Sequence, residues 1–209
     1  MLELLTGAGL AAAAGLNAYI PLLAMGIAAR IDWIHLPQGW TWLENEWILG
    51  ILAVLLIIEI IADKIPAIDT VNDVIQTVVR PASGGIVFAG GLGTETVAVD
   101  NPDTFFSSGA WVPVVIGIGL ALLVSLAKTA VRPAANAVTG GLAAPALSTA
   151  EDGASLTLVI LAIVAPILVV VALALLIVGF IVLARRRRRK KQQRRAEQAA
   201  AAIPPNVTQ

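Results

Sequence analysis

Trp47-Ile48-Leu49-Gly50-Ile51-Leu52-Ala53-Val54-Leu55-Leu56-Ile57-Ile58-Glu59-Ile60-Ile61-Ala62-Asp63-Lys64-Ile65 is an apolar run broken in its second half by one carboxylate. Roughly 20 apolar residues in a helix match the hydrocarbon core of a bilayer, about 30 Å. A charge in mid-span costs about 2.5–3.5 kcal/mol on insertion scales, so Glu59 needs something to offset it. On a helix Glu59 and Asp63 share a face at i and i+4, where they repel each other and both lose water. The reading is that Glu59 takes up a proton or pairs with Lys128 or Arg132 across a bundle.

Other stretches repeat the pattern. Residues 4–29 and 156–184 are long and apolar, and 111–127 is slightly shorter. Residues 82–99 and 134–150 are short and rich in Gly and Ala, a composition that lets helices approach closely but gives lipid little to solvate. With 58% apolar and 13% charged residues, the chain lies far from the usual soluble composition. The fold expected is all-α: a polytopic transmembrane helical bundle of about six spans, two of them the short segments. It divides into a transmembrane domain over 1–184 and a basic, disordered cytoplasmic tail over 185–209.

Charge gives the orientation. Nine of the fourteen basic residues lie in the run that starts at Arg185 and ends at Arg195, and thirteen of the fourteen acids precede it. Asp32, Glu44, Glu46, Asp100, Asp103, Glu151 and Asp152 mark one set of loops. Lys64, Arg80, Lys128, Arg132 and the tail mark the other, which the positive-inside rule assigns to the cytoplasm. Six crossings then leave both termini cytoplasmic. Trp33, Trp40, Trp42, Trp47 and Trp111 form an aromatic belt at the opposite interface. The tail run, lacking interleaved aromatics, is expected on anionic headgroups and not on nucleic acid.

Cysteine is absent and His35 is the single histidine, which excludes thiolate chemistry and a multi-histidine metal site. No cofactor and no metal is called for. The partners expected are the bilayer and further copies of the chain.

Gln76-Thr77-Val78-Val79-Arg80-Pro81-Ala82 recurs as Lys128-Thr129-Ala130-Val131-Arg132-Pro133-Ala134, 52 residues on. An internal repeat, with copies near 67–99 and 119–150, is the reading. Each proline is expected to end one helix near its arginine and to start a short one. Paired interrupted segments of this kind point to a transporter's central site. Asp69, Asn72, Asp73, Gln76 and Arg80 line one side of a helix, with Ile68, Val71, Val74, Ile75 and Val78 on the other. That stripe either faces water at an interface or lines a cavity. Ser125, Lys128, Thr129, Arg132 and Asn136 make a similar stripe in the second copy. In 4–29, Asn17, Tyr19 and Pro21 interrupt the span, and Pro21 is expected to kink it and free carbonyls near Asn17.

Gly15-Leu16-Asn17-Ala18-Tyr19-Ile20-Pro21, Ala62-Asp63-Lys64-Ile65-Pro66 with Asp69, Arg80-Pro81, Arg132-Pro133 with Asn136, and Glu151-Asp152 together resemble the bacterial membrane family catalogued as domain of unknown function four-one-two-six. The resemblance covers roughly 1–182 and implies a polytopic bacterial inner-membrane protein, without bringing a substrate. The candidate polar site comprises Asn17, Glu59, Asp63, Lys64, Asp69, Asp73, Arg80, Lys128, Arg132, Asn136, Glu151 and Asp152.

Three functions compete. A small-solute transporter or permease needs the polar stripes to face each other and reach water. A membrane scaffold or assembly factor needs them buried and mutually paired. A lipid-acting intramembrane enzyme, for which no catalytic residue is assigned, needs a constellation open to headgroups. The transporter is the leading reading, and enzymatic activity the least favoured.

Overall fold

The computed structural model describes residues 1–93, 107, 109–139, 143–179, 181, 182 and 185; the side chains of 66, 67, 69, 70, 130–139, 143 and 144 lie outside that description. The chain divides into Met1–Leu173 and Ala174–Gln209. The first unit holds the polar cluster; in the second, helix continues to Gly179.

Among the described residues every regular element is helical. They are α1 (Leu2–Leu16), α2 (Tyr19–Arg30), a 3-10 helix (Gln38–Glu44), α3 (Glu46–Ala62), α4 (Pro66–Gly91), α5 (Trp111–Thr139) and α6 (Ala143–Val164), with α7 over Pro166–Gly179. Two are long and apolar enough to cross a membrane, within α5 at Trp111–Thr129 and within α6 at Pro145–Val164. A third joins them if the 3-10 helix and α3, bent by 64° at Asn45, count as one span. Asn45 makes that corner by accepting from the Trp47 amide at 2.9 Å, an N-cap that starts α3.

The boundaries depart from the expected ones in three places. First, 4–29 is not one helix. It stops at Asn17, whose backbone is extended, and folds back: Gly7 on α1 lies against Phe88 and Gly91, while Met25 on α2 lies against neighbouring Gly90. A straight helix would hold residues 7 and 25 about 27 Å apart. The turn between them meets α4 one to two turns earlier, where the Ser83 hydroxyl donates to the Ala18 carbonyl at 2.6 Å. So α1 and α2 form a V whose two arms open toward the Gly90 end and whose tip lies beside Ser83, partway along α4. Pro21 is not the cause. It occupies the third position of α2, where a helix has no use for an amide donor.

Second, the Arg-Pro pairs do not end helices. Helix α4 runs through Pro81, and α5 through Pro133. A mid-helix proline forfeits one backbone hydrogen bond, a loss that packing against neighbouring helices offsets. In both copies the preceding threonine bonds back to the carbonyl four residues earlier, Thr77 to Asp73 at 2.8 Å and Thr129 to Ser125 at 3.0 Å. The short segment 82–99 is therefore in part the second half of α4. Third, 156–184 breaks at Ala165, before Pro166.

Helix α4 is inside-out for a water-soluble protein. Val71 and Val78 are 61% and 72% exposed, whereas Gln76 and Arg80 are each 1% exposed. Helix α3 repeats this, with Ile51, Val54, Ile57, Ile58 and Ile61 outward and Glu59 and Asp63 buried. Between the two readings of the polar stripe, burial of Gln76 and Arg80 favours the interior. Packing at the Gly90 end uses small residues: Gly84 and Gly117 meet where antiparallel α4 and α5 cross, and a Cβ on either would strike the other's backbone. Ala11, Ala12, Ala13 and Ala14 of α1 are wholly buried behind them. Trp40 is buried beside Gly90, 6.4 Å from Trp42, and so is a packing residue; Trp33, Trp42, Trp47 and Trp111 are exposed at the same end.

Candidate functional site

The tip of the V organises the site. Ending α1 leaves its last carbonyls without helical donors, and starting α2 leaves amides without acceptors. Asn17 supplies acceptors to α2: its Oδ1 takes the Tyr19 and Ile20 amides at 3.0 and 3.1 Å. Its Nδ2 donates to Asp152 Oδ1 on α6 at 2.9 Å. The Leu16 carbonyl takes the Lys128 ammonium at 2.9 Å, a cation where the helix dipole favours one. Expected free carbonyls near Asn17 are thus occupied, by Lys128 at Leu16 and by Ser83 at Ala18.

Two ion-pair networks meet below the tip. In one, Arg80 Nη2 lies 3.3 Å from Glu59 Oε1 and Nη1 lies 3.6 Å from Asp73 Oδ1. In the other, Lys128 Nζ lies 3.0 Å from Glu151 Oε2 and 3.9 Å from Asp63 Oδ2. Asp63 also accepts from Asn72 at 2.8 Å and from Ser148 at 3.3 Å. Glu59 and Asp63, one turn apart on α3, join the networks. Among the described residues the cation paired with Glu59 is therefore Arg80, where Lys128 or Arg132 was expected; the Arg132 side chain lies outside that description. Only Asp63, Lys64 and Ile65 separate α3 from α4, and the polar stripe of α4 meets the end of α3 through Asn72 on Asp63 and Arg80 on Glu59.

Of the expected site residues, the fold brings together Asn17, Glu59, Asp63, Asp73, Arg80, Lys128, Glu151 and Asp152. Lys64 is exposed and stands apart. The side chains of Asp69, Arg132 and Asn136 lie outside the described residues. Arg80 and Lys128, expected to mark cytoplasmic loops, are buried within helices and report the site instead. Gln76, Asn72, Tyr19 and Ser148 belong to the cluster and were absent from the candidate set. For Gln76 the signal was present, since the repeat aligns it with Lys128. Tyr19 neighbours Glu59, Gln76 and Arg80.

The cluster is enclosed but reaches the surface at the Asp63 end, where the Asp73 and Glu151 side chains keep 22% and 15% exposure. On the opposite side of Asp152, a groove of about 530 Å³ runs between α2, α3 and α6, lined by Ile20, Leu23, Ile27, Leu56 and Ile60 among others. Within the cluster Glu59 Oε2, Gln76 Oε1 and Arg80 Nε have no hydrogen-bond partner among the described residues.

The family described as Domain of unknown function (DUF4126) matches residues 4–186 of the chain. No curated protein and no solved structure matches it.

Proposed function

The chain belongs to the DUF4126 family, and we propose that it is an integral membrane protein that carries a small polar solute through the site at the tip of the V. The observation that carries this reading is the meeting, at mid-depth, of two broken helix ends with five carboxylates and two buried cations. Discontinuous helices whose ends face a central polar site are a recurrent transporter design, because irregular backbone at membrane depth survives only where protein or a cavity supplies its partners. The outward Val and Ile faces of α3 and α4 support immersion in lipid.

In the arrangement we propose, α3, α4, α5 and α6 cross the bilayer, apolar α7 begins the return crossing that leads to the tail, and the α1–α2 pair dips in from the tryptophan side and returns. This replaces the six crossings read from hydropathy and puts the N-terminus on the tryptophan side. Exposed Lys64 and the tail run mark the cytoplasmic side, with the tail on anionic headgroups of a bacterial inner membrane. The site then opens toward the cytoplasm past Asp73 and Glu151 and is closed on the other side by the Gly and Ala packing.

The cysteine-free chain permits a direct test. Asp73→Cys and Glu151→Cys should react with a membrane-impermeant thiol reagent from the tail side of sealed vesicles, and Leu10→Cys from neither. If neither Asp73→Cys nor Glu151→Cys reacts, the cavity is absent and the second reading takes over. That reading is a membrane scaffold whose ion pairs fix helix packing, favoured by the close Lys128 to Glu151 contact. A lipid-acting enzyme is not supported, since Glu59 and Asp63 are enclosed.

A further inference from the structure

We propose that Glu59 is the proton-binding group of this site and that solute movement is coupled to protons; the inference rests on the transport reading. Arg80 occupies Glu59 Oε1, whereas Oε2 is buried without a partner among the described residues, as is Gln76 Oε1. Gln76 lies one turn before Arg80 on the same face of α4, and both neighbour the Tyr19 phenol. Among the described residues two enclosed acceptors lack a donor, and one enclosed donor, Arg80 Nε, lacks an acceptor.

Charge points the same way. Glu59, Asp63, Asp73, Glu151 and Asp152 are set against Arg80 and Lys128. Adding the Arg132 charge still leaves carboxylates in excess, and a net negative cluster away from water is costly until protons neutralise it. The groups around Glu59 are Asp63 on its own helix, Asp73 and Arg80 on α4, Lys128 on α5, Tyr19 on α2, and Glu151 and Asp152 on α6.

The geometry supplies a response. Arg80 is shared between buried Glu59 at 3.3 Å and part-exposed Asp73 at 3.6 Å. A proton from water entering past Asp73 adds to Glu59 Oε2, its O–H donates to Gln76 Oε1, and the carboxyl becomes neutral. Arg80 then keeps Asp73 as its anionic partner. Loss of the proton to water restores the Glu59 pair.

The test uses the full chain in lipid nanodiscs. Infrared difference spectra between acid and alkaline buffer should show a carboxylic-acid C=O band that Glu59→Gln removes. Asp73→Asn should move that band's midpoint to lower pH, because Arg80 no longer has a competing carboxylate and holds Glu59 ionised more firmly. In proteoliposomes an inward proton gradient should acidify a trapped pH dye faster than in empty vesicles, with the excess lost in Glu59→Gln. A band that Glu59→Gln leaves in place overturns the assignment, and one that vanishes only when sodium is added gives the site to sodium. Proton uptake no faster than in empty vesicles overturns the coupling. If Glu59→Gln fails to fold, the Asp73→Asn shift decides. Thiol labelling of Asp73→Cys is independent of all three readouts, so failure of the proton is distinguishable from failure of the cavity.

Discussion

The two ends of the bundle are built on opposite principles. At the Gly90 end, α1, α4 and α5 meet through glycine and alanine, with backbones in contact and the neighbouring Thr6 and Ser83 hydroxyls tied to backbone carbonyls. At the Asp63 end, α3, α4, α5 and α6 meet through carboxylates, amides and the cations Arg80 and Lys128, with three polar atoms of Glu59, Gln76 and Arg80 unsatisfied among the described residues. The first end is held by dispersion between close surfaces, which tolerates no added volume. The second is held by charge pairs, each member of which is expensive to leave alone. On the proposed transport reading, that contrast separates a seal of close packing from a site that can exchange its occupants.

The largest effect should follow from removing one cation. Arg80→Ala leaves Glu59 buried and unpaired and should cost about 3–5 kcal/mol, read as a lowered midpoint of thermal unfolding in detergent. The double variant Glu59→Leu with Arg80→Met should regain most of that loss, since well-packed apolar pairs replace buried ion pairs with little penalty. An unchanged midpoint in Arg80→Ala would mean that charge pairing does not hold the Asp63 end together.

Next comes the seal. Gly84→Leu adds volume where α4 crosses α5 and should destabilise by about 1–3 kcal/mol; the same melting assay reports it, and Cys labelling at Leu10 should rise if the crossing opens. A smaller effect, about 0.5–2 kcal/mol, is expected for Asn17→Ala, which removes the acceptor of two α2 amides and the link to Asp152. Its midpoint should be lower than wild type but above that of Arg80→Ala. Smallest is Arg30→Ala. The Arg30 to Glu46 pair at 2.9 Å is exposed on both sides, and its loss should cost under about 1 kcal/mol, fading in high salt.

The apolar character of α3, α5 and α6 was legible in the sequence, because length and composition alone carry it. So was the demand that Glu59 find a partner. Which partner could not be read, since Arg80, Lys128 and Arg132 differ only in how helices pack at long range. The V was half visible. Asn17 and Pro21 marked a break, but an apolar stretch that folds back looks the same as one that crosses, and only the side chains it meets on α4 separate the two. The Arg-Pro pairs misled for a related reason: a proline's local cost is fixed, whereas its tolerance depends on neighbours far along the chain. Gln76 was overlooked because an amide carries no charge, although its alignment with Lys128 singled it out.

The spacing of Glu59 and Arg80 bears on how such a chain is made. On the membrane reading, α3 leaves the ribosome with an unneutralised carboxylate, and its cation follows 21 residues later on the next helix. Neither segment is at ease in lipid by itself. On that reading the insertion machinery must retain α3 until α4 has been synthesised and release the two together, making the order of biogenesis a property written into the distance between two side chains.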